Sequence, residues 1–185
     1  MAYSSTKKKS AGIVQISIGI LTVILVVLII AMMMIVSSIQ GTARIVNYAG
    51  LVRGKTQRIV KLEISGKQED DMIQEIESFI DGLMNGNKEL NLVRLEDSDF
   101  QTKMEELNEY FLMLKQEIMQ VRTYGADKTQ ILSKSEHFFE ICDEATGLAE
   151  VYSQRKASSL SVLEKYITAD IVVLMLLIGY EFIKA

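Results

Sequence analysis

The chain has 185 residues, of which 49% are hydrophobic and only 7% aromatic, and it contains neither proline nor tryptophan. Because proline breaks helices and aromatic-rich runs are typical of strands, this composition argues against a β-rich fold and predicts an all-α protein. The net charge is -4 and there is one cysteine, Cys142, which excludes an intramolecular disulfide and a cysteine-rich metal site.

The first predicted element is a membrane-spanning helix. The stretch from Ile13 to Val36 carries only three polar side chains, and at about 1.5 Å per residue it exceeds the roughly 30 Å thickness of the hydrocarbon layer. It is too long for the core of a secretory signal. The basic run from Lys7 to Lys9 keeps the N-terminus inside by the positive-inside rule. We therefore predict a cytoplasmic segment over 1–10 and a transmembrane helix over 11–37.

Four helices are predicted outside the membrane. The first continues the spanning helix to Ser65-Gly66, the second follows Asp70-Asp71 and ends near Asn85, the third runs from Phe100 to Tyr124, and the fourth begins near Asp127. Apolar residues recur in each at steps of three and four, which is the helical period. This layout predicts an extracytoplasmic up-down four-helix bundle over 38–165, with its outer helices continuous with membrane helices.

A second transmembrane helix is predicted over 166–185, which makes the chain a multi-pass protein of the plasma membrane. Its uninterrupted apolar core runs from Ile171 to Tyr180 between Asp170 and Glu181. That core is about 16 Å long, so it spans only if one or both acids enter the membrane or pair there. Because the helix runs to the final residue, Ala185, we expect a cytoplasmic output portion to follow it.

The sequence lacks the motifs of enzymes and metal sites, including nucleotide-binding glycine loops, zinc-ligand spacings and nucleophile elbows. We therefore expect no catalytic activity, no cofactor, no bound metal and no nucleic-acid partner. His137 is the one histidine and is interpreted as a surface or boundary residue, and Cys142 as a small core hydrophobe.

The most informative residue is Arg53, on the first helix beyond the membrane. Counting heptads from Ile39 places it with Val46 and Val60 on the stripe expected to be buried, where a guanidinium needs an anionic partner. In a parallel homodimer, two copies of Arg53 near the axis would bind a small anion between them. The alternative is that Arg53 pairs with an acid on another helix. Arg58 lies about 140° around the helix from Arg53, so both reach one point only through a bend or a second subunit.

The segment around Arg53 resembles the P-box of nitrate/nitrite sensor kinases and of type IV pili chemotaxis transducers, whose pattern is I-N-x-A-G-x-x-R-x-x-x-x-R-L. The residues that match it are Asn47, Ala49, Gly50, Arg53 and Arg58. The resemblance implies that Arg53 binds an anion at a dimer interface, helped by the backbone near Gly50. Our hypothesis adds polar support from Asn47 and Gly50, and a contact from Arg58 that either supports Arg53 or comes from the partner subunit. Tyr48 stands where nitrate sensors have lysine, so the resemblance does not extend to nitrate as the ligand.

Two longer stretches, 47–58 and 179–185, resemble the N-terminal sensory regions of clostridial-type membrane diguanylate cyclases, in which a GGDEF domain follows the second span. No GGDEF motif occurs in this chain, so the resemblance implies the input half of such a protein. The sequence leaves two alternatives open. One is a bitopic coiled-coil scaffold that senses no ligand, and the other is the sensor of a histidine kinase or chemoreceptor.

Overall fold

The computed structural model describes the backbone of residues 2–184 and the side chains of 12–184, so Met1, Ala185 and the side chains of the three N-terminal lysines lie outside the description. The helices are α1 (Ala2–Ile64), α2 (Asp70–Asn85), α3 (Ser98–Tyr124) and α4 (Ile131–Lys184), and a single 3-10 turn precedes α4. The all-α prediction is confirmed. α4 runs unbroken from its first turn into the terminal apolar stretch, as predicted.

Residues Ile39–Arg155 form one compact unit with a shared hydrophobic core. All four helices contribute to this core. α3 buries the whole of its predicted face, and that face consists of Phe100, Met104, Leu107, Phe111, Leu114, Ile118 and Val121. α2 buries Ile73, Ile76, Phe79, Ile80 and Leu83. The period of three and four therefore identified the buried faces of both helices.

The connection between α2 and α3 lies outside the predicted helices, yet it contributes to the core. Leu92 and Leu95 are each only 4% exposed. A pair of backbone hydrogen bonds joins Leu92 to Asn87 as an isolated antiparallel β-bridge. The connection packs closely on α1, because a Cβ added to Gly41 would lie 2.9 Å from a methyl carbon of Val93. The Asp97 carboxylate then accepts a hydrogen bond from the backbone N–H of Phe100 and caps the start of α3.

An ion-paired cluster, which we call the Arg122 clamp, joins the end of α1, the start of α2 and the end of α3. Arg122 donates through Nε to Glu63 at 2.8 Å and through Nη2 at 2.5 Å, and its Nη1 lies 2.8 Å from Asp70. The Glu63 side chain is 1% exposed and that of Arg122 is 12% exposed. These hydrogen bonds raise the pKa of Arg122 further above its ordinary value, chiefly through Glu63. The Arg122 guanidinium therefore stays charged at any accessible pH.

A second buried carboxylate, that of Glu117, holds α3 against the start of α4. It accepts a hydrogen bond from the backbone N–H of Gln130 at 2.5 Å and pairs with the Lys134 ammonium. The N–H groups at a helix start lack intrahelical acceptors, so Glu117 satisfies one of these donors. The bond from Lys134, and then that from Gln130, holds the pKa of Glu117 below its ordinary value.

This lowered pKa predicts a specific loss of stability in acid. The unfolded chain protonates Glu117 more readily than the folded one, so its contribution is present above the unfolded pKa of about 4.3 and is lost as pH falls through the lower folded value. We expect Glu117→Gln to show a smaller fall in unfolding free energy between about pH 5 and pH 3 than the wild type. Urea unfolding across that pH range measures this. The exposed Glu109, changed to Gln, is the control, and equal slopes for both variants would contradict the prediction.

The second unit consists of Met1–Ser38 and Lys156–Ala185. Its parts of α1 and α4 are each long and apolar enough to cross a membrane. Their apolar side chains are largely uncovered: Ile16, Val23 and Met33 are each more than 60% exposed. Such uncovered apolar surface is typical of helices that face lipid rather than water.

Candidate functional site

The candidate site is the surface of α1 between Asn47 and Arg58. Within this segment the inward stripe consists of Ala49, Val52 and Thr56, and it continues the stripe begun by Ile45. The prediction that Arg53 lies on the buried stripe is wrong, because its side chain is 35% exposed. The heptad is real, but its phase is one residue earlier than the count from Ile39 implied.

Arg53 pairs with an acid on another helix, which was the alternative left open by the sequence. Its Nη1 donates to an oxygen of Asp143 on α4. The guanidinium carbon lies 5.1 Å from the ring centroid of Phe139, one helical turn before Asp143. Asp143 is itself 60% exposed. The guanidinium is thus held against α4 by a surface ion pair and a cation–π contact.

The other predicted site residues lie together on a neighbouring face of α1, which we call the open face. Asn47, Gly54 and Arg58 are exposed and Gly50 is half-exposed. A Cβ built on either glycine would have nothing within 4 Å. At about 100° per residue these four positions fall within a sector of about 80°. The glycines therefore have no close neighbour in a single chain that would explain the absence of a side chain.

Arg53 and Arg58 do not converge in one chain. Arg53 points toward Asp143 on α4, whereas Arg58 is exposed on the open face. The 140° separation of the two positions is thus retained, because α1 is a continuous helix through this region. A single copy does not form an anion site with both arginines.

Tyr48 occupies the position at which the resembling nitrate sensors carry lysine, and it faces away from the open face. Its ring packs edge-on against Phe79 of α2, with centroids 5.0 Å apart. Edge-to-face packing of this kind stabilises aromatic pairs beyond the area that they bury. Tyr48 is therefore part of the junction between α1 and α2.

The structure confirms the interpretation of His137 as a surface residue and of Cys142 as a small core residue. His137 is exposed, packs edge-on against Tyr110 and lies 3.1 Å from a Glu140 oxygen. Cys142 is fully buried, and burial raises the pKa of its thiol to about 12. Within the part of the chain that the structure describes, no cluster of three or more histidine, cysteine or acidic residues could hold a metal ion.

Clefts on the surface of this unit lie away from Arg53, and two of them show this. One of about 570 Å³ runs between α2 and α3, with Ile73, Leu112 and Met119 as apolar walls and the Glu77–Lys115 ion pair across it. A smaller one of about 270 Å³ lies between α1 and α4 and includes Lys61, Ile64 and Leu132. Neither includes Arg53.

Sequence reasoning did not identify Phe139 and Asp143 as the partners of Arg53. They are spaced by four residues on α4, so they share a helix face, but the chain offers 24 acids as candidate partners. The choice among them depends on how α1 and α4 align, which only the folded chain reveals.

Comparison with solved structures shows a likeness of fold. The structure resembles the ligand-binding domain of the P. aeruginosa nitrate receptor McpN with a TM-score of 0.50 and 20% sequence identity, over 60% of this chain and 95% of that domain. At this identity the likeness concerns the fold alone. No family model matches the chain, and no curated protein matches it.

Proposed function

We propose that residues 38–165 form an extracytoplasmic up-down four-helix bundle that senses a small ligand for a transmembrane signalling protein. The observation that carries this proposal is that the fold is like that of a receptor's ligand-binding domain. In this chain, the first and last helices of that fold each extend unbroken into a stretch apolar enough to cross a membrane. In this proposal the chain is an input module without catalytic activity, and its N-terminus is cytoplasmic at the plasma membrane.

We further propose that two copies associate through the open face and bind a small anion between their Arg53 side chains. The uncovered glycines favour this, because two α1 helices can approach closely where neither carries a side chain. Asn47 and Arg58 lie on the same face and would contribute polar contacts, Arg58 from one or both subunits. The second subunit supplies the convergence of arginines that one chain lacks.

In the single chain, the Arg53 guanidinium is paired with the Asp143 carboxylate, so an anion must compete with Asp143 for it. Both partners are more than a third exposed, and ion pairs of that kind contribute only about 0–1 kcal/mol. A ligand that contacts two arginines at once can therefore displace Asp143. Ligand binding would change the alignment of α1 and α4 because their ion pair opens, and a ligand shifts a conformational equilibrium only through such differential contacts.

Thermal unfolding of the full chain in lipid nanodiscs tests the anion site. We expect at least one of nitrate, nitrite, a dicarboxylate or a phosphate ester to raise the unfolding temperature at constant ionic strength; a ligand at 100 times its Kd stabilises by about 2.7 kcal/mol. Arg53→Ala should abolish the shift, and Lys61→Ala, an exposed cation on the same helix, should retain it. Asp143→Asn should strengthen binding, because it removes the competing carboxylate. An anion response that survives Arg53→Ala would overturn the site.

Cysteine cross-linking tests the dimer separately. A cysteine introduced at Ala49 would face the core, because that side chain is 1% exposed. The introduced cysteine therefore belongs on the open face. We expect Gly54→Cys to form a cross-linked dimer in membranes and the exposed Glu109→Cys on α3 to form none. Equal cross-linking at both positions, or none at either, would contradict association through the open face.

We propose cyclic di-GMP synthesis as the output, on the strength of the resemblance of residues 47–58 and 179–185 to membrane diguanylate cyclases. The test is the cyclic di-GMP level in cells that express the native gene product, with and without Arg53→Ala. A histidine kinase or chemotaxis output in that product would replace this part of the proposal and leave the sensor intact.

A further inference from the structure

An acidic side chain lies buried between the two membrane-capable helices. Asp170 is 8% exposed, and its Oδ2 is buried without a hydrogen-bond partner among the described residues. It borders a crevice of about 350 Å³ that is otherwise lined by Tyr166 and by apolar side chains, among them Leu21, Ile24 and Leu28 of α1. A buried polar group without a hydrogen-bond partner is costly in such surroundings, and acids inside membranes commonly pair with a cation.

The neighbours of Asp170 place it deep in the span. Ile24 stands eleven residues after Ile13 and twelve before Val36, so it is the middle of the apolar stretch of α1, about 17 Å from either end. Asp170 borders the same crevice as Ile24 and therefore lies near that depth. At that depth the membrane-embedded part of α4 begins before Tyr166, the predicted start of the second span. Glu181 lies on the same face of α4 and also has a buried oxygen without a partner, but it is eleven residues nearer the cytoplasmic end. Asp170 is the acid that water reaches least easily.

This chain carries no cation at that depth. Residues 10–43 of α1 and 166–183 of α4 contain no lysine, arginine or histidine. Lys165 is close in sequence but points about 140° away from Asp170 around the helix. A second copy in register presents the same residues at the same depth, so a homodimer does not supply the missing charge. A cation that pairs with Asp170 at this depth would therefore come from another molecule.

We propose that Asp170 and its crevice bind the transmembrane helix of a different protein that carries a lysine or arginine at mid-depth. The inference rests on the proposed membrane-spanning role of α1 and α4. Intramembrane acids and bases commonly pair with one another between helices. The crevice volume of about 350 Å³ accommodates one long basic side chain. A helix backbone also holds its cation at a fixed depth, whereas the ammonium of a free amphiphile stays near the headgroups, where basic side chains themselves prefer to reach.

Model peptides test this with the full chain in nanodiscs. Two apolar spanning peptides differ only at the central residue, which is lysine in one and leucine in the other, and their co-purification with the chain is measured. We expect the lysine peptide to bind at least tenfold more tightly than the leucine peptide. Asp170→Asn should remove the difference, and Glu164→Gln, an exposed acid of the same unit, should preserve it.

Three results would overturn the proposal. The first is equal binding of the two peptides, and the second is a lysine preference that survives Asp170→Asn. The third is binding of dodecylamine as tight as that of the lysine peptide with the same dependence on Asp170, which would make the occupant an amphiphilic amine. Extraction with alkaline carbonate distinguishes failure of this inference from failure of the proposed membrane-spanning role. The wild type and Asp170→Asn should both stay in the membrane fraction. Release of the wild type would overturn the membrane-spanning role and this inference with it.

Discussion

Replacing Glu63 with alanine is expected to lower the free energy of unfolding by about 3–5 kcal/mol. The Glu63 side chain is 1% exposed, and it holds the Arg122 guanidinium through two oxygens. Removing it leaves a charged group in the interior with Asp70 as its remaining acidic partner. Because Arg122 does not lose its proton at accessible pH, the cost is not relieved by neutralisation.

Urea unfolding followed by circular dichroism measures this loss. Glu140→Ala is the matched control, since Glu140 is 69% exposed and lies 3.1 Å from His137 one turn away. We expect it to change stability by less than about 0.5 kcal/mol. A double variant, Glu63→Leu with Arg122→Leu, should recover most of the stability because it removes both charges together. A double variant as unstable as Glu63→Ala would show that packing, rather than unpaired charge, causes the loss.

Phe111→Ala is expected to cost about 3–5 kcal/mol by leaving a cavity at the centre of the core. Phe111 is 1% exposed, and its ring centroid lies 5.6 Å from that of Phe138 on α4. The substitution therefore removes buried apolar surface and an aromatic pair at once. Phe111→Leu should recover more than half of the loss.

The control for this substitution is Tyr124→Ala on the same helix. Tyr124 is 65% exposed, so its truncation should leave the unfolding free energy within about 0.5 kcal/mol of the wild type. If Phe111→Ala cost no more than Tyr124→Ala, α3 would not pack through the face described above. The same urea titration compares the three variants directly.

The predictability of each helix depended on how plainly its buried positions are apolar. α3 has an apolar residue at every buried position from Phe100 to Val121 except Glu117, and its face was predicted in full. α1 buries Thr42, Thr56 and Glu63 on its inward stripe, so three core positions are polar in the sequence. Val46 and Val60 then suggested a phase one residue later, and Arg53 was assigned to the core. Polar residues at core positions hide the phase of a heptad even where the heptad is present.

Contacts between segments distant in sequence were less predictable than the buried faces of single helices. The charge on Arg53 required an anionic partner, but nothing along the chain selects Asp143, which is 90 positions away. Leu92 and Leu95 lie in the connection between the predicted second and third helices, so the period of those helices gave no reason to expect their burial in the core. The grouping of Asn47, Gly50 and Arg58 on one face was predictable, because it follows from helix geometry alone.

Cys142 makes the unmodified chain a ready background for thiol chemistry. Because thiolates rather than thiols react with alkylating and disulfide-forming reagents, a buried thiol with a pKa of about 12 is almost silent at neutral pH. A reporter cysteine introduced on the surface will therefore be the reactive one, without prior removal of the native cysteine. Spin labels, fluorophores and cross-linkers can be attached one site at a time to a protein whose core is left as it is.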